Sequence, residues 1–159
     1  MTDHGIRSAG IFIDGGYYAK IDEGLAKVMS KSVNLKGLMD FIIEFICKMD
    51  GLSLNKVSIT ESHYYRGRYR VKEACTKNLL VSERRFEDTL IENDVIFHYK
   101  HLRETTKNNR TTVIEKGIDT WFALDTYEMT LYRDFDYTIL ISGDADHEML
   151  ARKLRALKT

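Results

Sequence analysis

The stretch Tyr137–Asp146, reading YTILISGDAD, restricts the possible folds more than any other part of the chain. Five residues suited to a buried strand, Tyr137 to Ile141, run into Ser142-Gly143, and two acids follow at Asp144 and Asp146. An apolar run of this length, bounded by turn residues and followed by a helical pattern, reads as a central strand of a parallel sheet. Ligands of open α/β sheets bind beyond the carboxyl ends of the strands. Both aspartates are expected at such an end, with Gly143 letting the backbone turn sharply. A second strand, Gly10–Asp14 (GIFID), ends the same way, in an acid followed by Gly15-Gly16.

The intervening chain alternates helix and strand patterns. Tyr17 to about Met29 reads as helical, with Tyr17, Ile21 and Leu25 four residues apart. Asn34 is suited to cap a second helix with an apolar stripe from Leu35 to Met49, and Gly51 to stop it. Lys56–Tyr65 is the second expected strand, followed by one long helix over Val71–Glu92 with Leu79, Phe86 and Leu90 on its buried line. Val95–Tyr99 is a third strand. Arg103–Thr112, RETTKNNRTT, has no period and reads as a surface loop. Helices are expected over Ile118–Leu131 and Glu148–Leu157. This alternation predicts an α/β three-layer fold, a parallel sheet of about four strands with helices on both faces, in a single domain spanning residues 1–159. If the strand order reverses beside the first strand, Asp14, Asp144 and Asp146 face one crevice.

Equal numbers of basic and acidic residues, 24 of each, argue against a strongly basic nucleic-acid binder, so any such surface must be local. No apolar run reaches the roughly 18 residues that span a bilayer, and the N-terminus has no apolar core of a signal peptide. Cys47 and Cys75 have neither zinc-type nor CxxC spacing and read as reduced thiols of a cytoplasmic protein. The sequence is compatible with a homodimer and does not determine oligomeric state.

Crowded carboxylates repel one another, so either one holds a proton or a cation neutralises them. Oxygen ligands with open positions suit Mg²⁺ or Mn²⁺, ions that activate water and stabilise the leaving oxygen in phosphodiester displacement. Asp119, at the start of a helix, is a fourth candidate. Taken singly, Asp14 is equally a turn residue, Asp146 a helix cap and Asp119 a first-turn acid; two strands ending in acid-glycine turns favour the shared site. Ser142 is suited to orient a ligand or cap the turn. A basic-aromatic run, Tyr64–Arg70, leaves the second strand near the same crevice. There Arg66 and Arg68 suit phosphates and Tyr65 suits stacking on bases; equally, the run is a solvated loop in which Tyr64 and Tyr65 finish the strand. Lys116 is a further phosphate candidate, and Lys107, Asn108, Asn109 and Arg110 are a weaker extension of that surface. His147 reads as a surface histidine at a helix start, His98 and His101 as structural or exposed, and Asp125 as a buried polar residue behind the site.

Phe12–Tyr18 (FIDGGYY), Glu115–Asp125 (EKGIDTWFALD) and Ile139–Asp146 (ILISGDAD) together resemble the NYN domain, LabA-like branch, of the PIN-like nuclease superfamily. The resemblance covers nearly the whole chain. It implies a Rossmann-like PIN fold and metal-dependent cleavage of RNA with Mg²⁺ or Mn²⁺, leaving 5′-phosphate and 3′-hydroxyl ends. It also implies an acidic site that falls here on Asp14, Asp119, Asp144 and Asp146. Three departures stand out: Gly16 where many members have Asn, His147 after the last Asp, and no strand after the last helix. The leading expectation is thus a divalent-metal-dependent ribonuclease acting on single-stranded RNA. A non-catalytic RNA-binding module of the same fold is the main alternative. A haloacid-dehalogenase-type phosphatase ranks lower, because Gly16 stands where that family needs an acid. A dinucleotide site ranks lower still, because the first strand is followed by DGGYY rather than GxGxxG.

Overall fold

The computed structural model describes residues 5–107 and 110–157; the expectation placed on Asn108 and Asn109 lies outside the described residues. In chain order the elements are β1 (Arg7–Asp14), α1 (Gly15–Met29), α2 (Leu35–Asp50), β2 (Val57–Arg68), α3 (Val71–Thr76), α4 (Leu80–Glu92), β3 (Val95–His101), β4 (Arg103–Lys107), β5 (Arg110–Ile114), α5 (Ile118–Tyr132), β6 (Tyr137–Ile141) and α6 (Glu148–Leu157). Four strands form the main sheet in the order β3-β2-β1-β6, and every pairing in it is parallel. No helix among the described residues is long and apolar enough to cross a membrane.

The sheet is built around β1, which has a strand on either edge and helices over both faces. Alternate side chains of a strand point to opposite faces. Ala9, Ile11 and Ile13 accordingly pack with Leu35, Met39 and Ile42 of α2 and Leu90 of α4. Phe12 points the other way, into a second cluster with Phe122 of α5, Phe135, and Leu150 and Leu154 of α6. Burial on both faces is what a parallel strand needs, and it explains the uninterrupted apolar run of β1. The ends of α2 follow from local chemistry: the Asn34 side chain accepts from Gly37 N at 2.8 Å, and Gly51 closes the helix at φ 66°.

The structure departs from the sequence reading in four places. β6 is an edge strand, not a central one, and all five of its residues are only half-buried. Helices cover both its faces, which is why it reads as apolar throughout, but its outer edge opens on an apolar groove of about 610 Å³ bordered by Phe41, Phe45 and Met49 of α2. The long helix expected after β2 is two, α3 and α4, separated at Asn78, which takes a left-handed φ of 56°, a conformation that Asn tolerates well. Leu79, at that break, is consequently 37% exposed, while Leu90 is buried. The segment expected as a loop, Arg103–Thr112, instead contributes β4 and the start of β5, an antiparallel pair whose strand residues are all exposed; a ribbon that buries neither face has no apolar alternation to read. Finally, β2 continues to Arg68, so Arg66 and Arg68 belong to the sheet and not to a loop beyond it.

Gly10 shows how tightly β1 is packed. A Cβ added there would lie 2.6 Å from the ring of Phe135, which is itself 2% exposed and has nowhere to move. Gly10→Ala is expected to lower unfolding free energy by about 1–3 kcal/mol, the usual cost of overpacking. Combined with Phe135→Leu it should lose less than the sum of the two single changes. Urea denaturation of the four proteins measures this, and strict additivity would sink the packing account.

Candidate acidic site

β1 and β6 run side by side in register, Ile13 opposite Ile141, so Asp14 and Ser142 leave the sheet as neighbours. The chain departs from β1 through α1 and α2 to β2 on one side, and reaches β6 on the other side through α5. The gap between the ends of β1 and β6 is therefore the point where the strand order reverses, the position at which open α/β sheets bind ligands.

Asp14 uses both carboxylate oxygens. Oδ1 caps α1, accepting from Gly16 N at 2.9 Å and Tyr17 N at 3.1 Å, while Oδ2 accepts from the Ser142 hydroxyl at 3.1 Å. Ser142 Oγ also accepts from Asp144 N at 3.2 Å and lies 2.7 Å from His147 Nδ1. A hydroxyl has one proton to give. With that proton on Asp14, His147 must donate from Nδ1, which fixes its tautomer. The ring of His147 packs 4.7 Å from that of Phe122 and is 7% exposed, and its Nε2 has no partner among the described residues. His147 is thus not the surface residue expected. It is a buried member of the site, and its fixed contact with Ser142 could not be read from sequence adjacency to Asp146 alone.

The other acids lie around this core. Asp144 caps a 3₁₀ turn, Ala145–His147, by accepting from Asp146 N at 3.0 Å, and Asp146 lies inside that turn rather than at the cap of α6. Asp119 sits in the first turn of α5, where the helix dipole favours a negative charge. Even so its carboxyl is held above the usual aspartate range. Partial burial is the largest cause, Asp14 comes next, and Asp144 and Asp146 add to it against an opposing pull from His147. The four acids therefore share one electrostatic neighbourhood, and no ion pair among the described residues reaches any of them.

Among the described residues no three His, Cys, Asp or Glu side chains are set closely enough to hold a metal ion. The hydrogen bonds give the physical reason: Asp14 is turned to its cap and Ser142, and Asp144 to its own turn. The chemistry of the donors nonetheless fits a hard divalent cation, being all carboxylate oxygen, mutually repelling and without cationic partners.

The expected substrate rim is only partly brought to this crevice. Tyr65 is fully buried, its ring stacked 4.4 Å from His98 and its hydroxyl donating to Asp125 at 3.1 Å, so it has no free face for a base. Asp125 itself is half-buried, less enclosed than the buried polar residue expected there. Arg68 points to the opposite face of the sheet, pairing with buried Glu87 at 2.6 Å and lying 4.9 Å over the Tyr99 ring. Arg66 points the same way and makes one long contact, 3.5 Å, to the Tyr64 hydroxyl. Lys116 is exposed just before α5. Lys100, not singled out from sequence, lies close by: its Nζ is 2.8 Å from where a Cβ on Gly117 would be.

The family profile described as the NYN domain matches residues 8–159, nearly the whole chain. The chain belongs to the NYN domain family, and its three-layer fold with a parallel four-stranded sheet is that of a PIN-like domain. NYN domains form part of the PIN-like nuclease superfamily. No curated protein and no solved structure matches the chain.

Repulsion within the acidic site has a measurable consequence. A carboxyl whose folded pKa is raised binds its proton more tightly in the native state, so its contribution to stability is greatest at acid pH. That contribution is lost as pH rises from the ordinary value of 3.8 through the raised one. At pH 7 without metal, Asp119→Asn is therefore expected to raise Tm. Solvent screening limits the gain to a fraction of ~1 kcal/mol, about 1–2 °C, and the gain should shrink toward pH 4. Thermal unfolding in EDTA across that range tests it, and a lower Tm for the variant at pH 7 would contradict the electrostatic account.

Proposed function

We propose that this NYN domain is a divalent-metal-dependent ribonuclease that hydrolyses phosphodiester bonds of single-stranded RNA. One observation carries the reading: Asp14, Asp119, Asp144 and Asp146 lie around the strand-order reversal, and no ion pair among the described residues reaches any of them. Asp14, Asp119, Asp144 and Asp146 would together hold Mg²⁺ or Mn²⁺. Such an ion, when bound, supplies charge stabilisation at the scissile phosphate and lowers the pKa of the attacking water. The chain's own residues do the positioning. Ser142, itself fixed by His147, holds one oxygen of Asp14 in place, and the backbone of α1 holds the other. Lys116 and Lys100, both exposed near the start of α5, are placed to attract the phosphate backbone.

A second reading, a non-catalytic RNA-binding module, draws support from the same hydrogen bonds. Asp14 spends both oxygens inside the protein, as a purely structural cap would. The two readings separate on one experiment. Asn is as good a helix cap as Asp, so Asp14→Asn keeps the fold while removing the charge. Under the nuclease reading, Asp14→Asn and Asp144→Asn each lower cleavage of a single-stranded RNA in Mn²⁺ by about 100-fold or more, comparable to losing one charge-stabilising group, and EDTA abolishes it. Salt-sensitive retention of RNA with equal, metal-independent behaviour of all three proteins would instead select the binding module.

A further inference from the structure

The arginines that turn away from the acidic crevice enter a cavity of their own. It has a volume of about 290 Å³ and lies between α4 and the carboxyl ends of β2 and β3, bordered by Arg66, Arg68, Tyr69, Glu83, Phe86 and Tyr99. That volume is at the small end of ligand sites, room for one heterocycle and not for a peptide segment. Its walls combine aromatic surface with charges of both signs. Glu87, buried at 6% exposure, is fully engaged, with one oxygen on Arg68 and the other on Arg84. Glu83, one turn earlier on α4, is half-buried and near Arg66, Arg68 and Arg84, yet its carboxylate makes no hydrogen bond or ion pair among the described residues. The cavity thus holds a free carboxylate opposite arginines with donors to spare.

One lining residue of the cavity, Arg66, also packs beside the acidic site. Gly15 follows Asp14 directly, and a Cβ there would lie 2.8 Å from Arg66 Cβ and 2.6 Å from the Tyr64 ring. Arg66 thus packs against the residue that follows Asp14.

We propose that this cavity is a guanine-selective base pocket for the RNA strand bound at the acidic crevice, a specificity that rests on the ribonuclease reading. The hydrogen-bonding inventory singles out the base. A carboxylate accepts only, and its two oxygens are satisfied together by two adjacent donors. Guanine alone offers these, on N1 and N2, and it presents two acceptors, O6 and N7, on its other edge, where arginine is the usual partner. Adenine and cytosine offer one amino group beside a ring acceptor, and uracil a single N–H between two carbonyls, so each would set an acceptor against Glu83. Tyr69, Tyr99 and Phe86 supply the apolar walls.

The test is equilibrium binding in EDTA of labelled hexaadenylate and of the same oligomer with one central guanosine, to wild type and Glu83→Gln. Glutamine keeps the size of Glu83 on the cavity-facing side of α4, and circular dichroism confirms the fold. The guanosine oligomer is expected to bind wild type about ten-fold tighter or more, and Glu83→Gln to bring the two within about two-fold. Guanosine 5′-monophosphate should compete, more weakly, for wild type only. RNA binding without a guanosine preference, or a preference that survives Glu83→Gln, overturns the pocket and leaves the ribonuclease reading intact. Glu83-dependent binding of the mononucleotide with no retention of either oligomer overturns the strand assignment and makes the cavity a free-nucleotide site.

Discussion

Asp14 holds three parts of the molecule at once, and the arrangement of the site depends on it. It ends β1, starts α1 through two backbone hydrogen bonds, and reaches across to Ser142 at the end of β6. Ser142 in turn anchors Asp144 N and His147, so the turn that carries the last two acids is fixed to the first. The scaffold behind these contacts is ordinary: β1 is paired on both edges and buried on both faces. A cap and a serine are enough to convert that rigid strand end into a positioned carboxylate.

Such a site works against the folded state. Asp119 is pushed toward its protonated form by burial and by Asp14, Asp144 and Asp146, and His147 buries a ring nitrogen without a partner among the described residues. An unsatisfied buried polar atom costs roughly 1–3 kcal/mol, and clustered like charges add to that cost. Neither feature helps the fold, and each is absent from the apolar face around Leu35, Met39 and Ile42. Local conflict of this kind is what distinguishes a functional centre from packing.

What could be read from the residues in advance tracks where burial imposes a pattern. Tyr137–Ile141 and Glu148–Leu157 were legible to the residue because turn chemistry bounds them, and α2 because Asn34 and Gly51 mark its ends. Position within the sheet was not legible: β6 is covered on both faces and reads as central, although it lies at the edge. β4 and β5 escaped notice because their threonines and charges bury nothing. Asp14, Asp144 and Asp146 are nameable from strands that end in turns of glycine and acid, and Asp119 from its helix start, whereas the burial of His147 and Tyr65 is not legible because it depends on α5, whose Phe122 packs against both.

Strand parity explains why the basic and acidic residues do not meet directly. Asp14 and Ser142 share the face of Phe12 and Leu140, covered by α5 and α6, whereas Arg66 and Arg68 share the face of Tyr64, covered by α1 and α4. One residue of strand separates the two outcomes, and period-two alternation makes it absolute. A polynucleotide touching both must therefore cross the ends of the strands rather than lie along one face. The crossing is where side chains are missing: Gly15 and Gly67 have no room for a Cβ, the first against Tyr64 and Arg66, the second against Leu102 and Glu115. The glycine after Asp14 thus does more than form a turn, because it brings the Arg66 side of the sheet within a backbone's width of the acids.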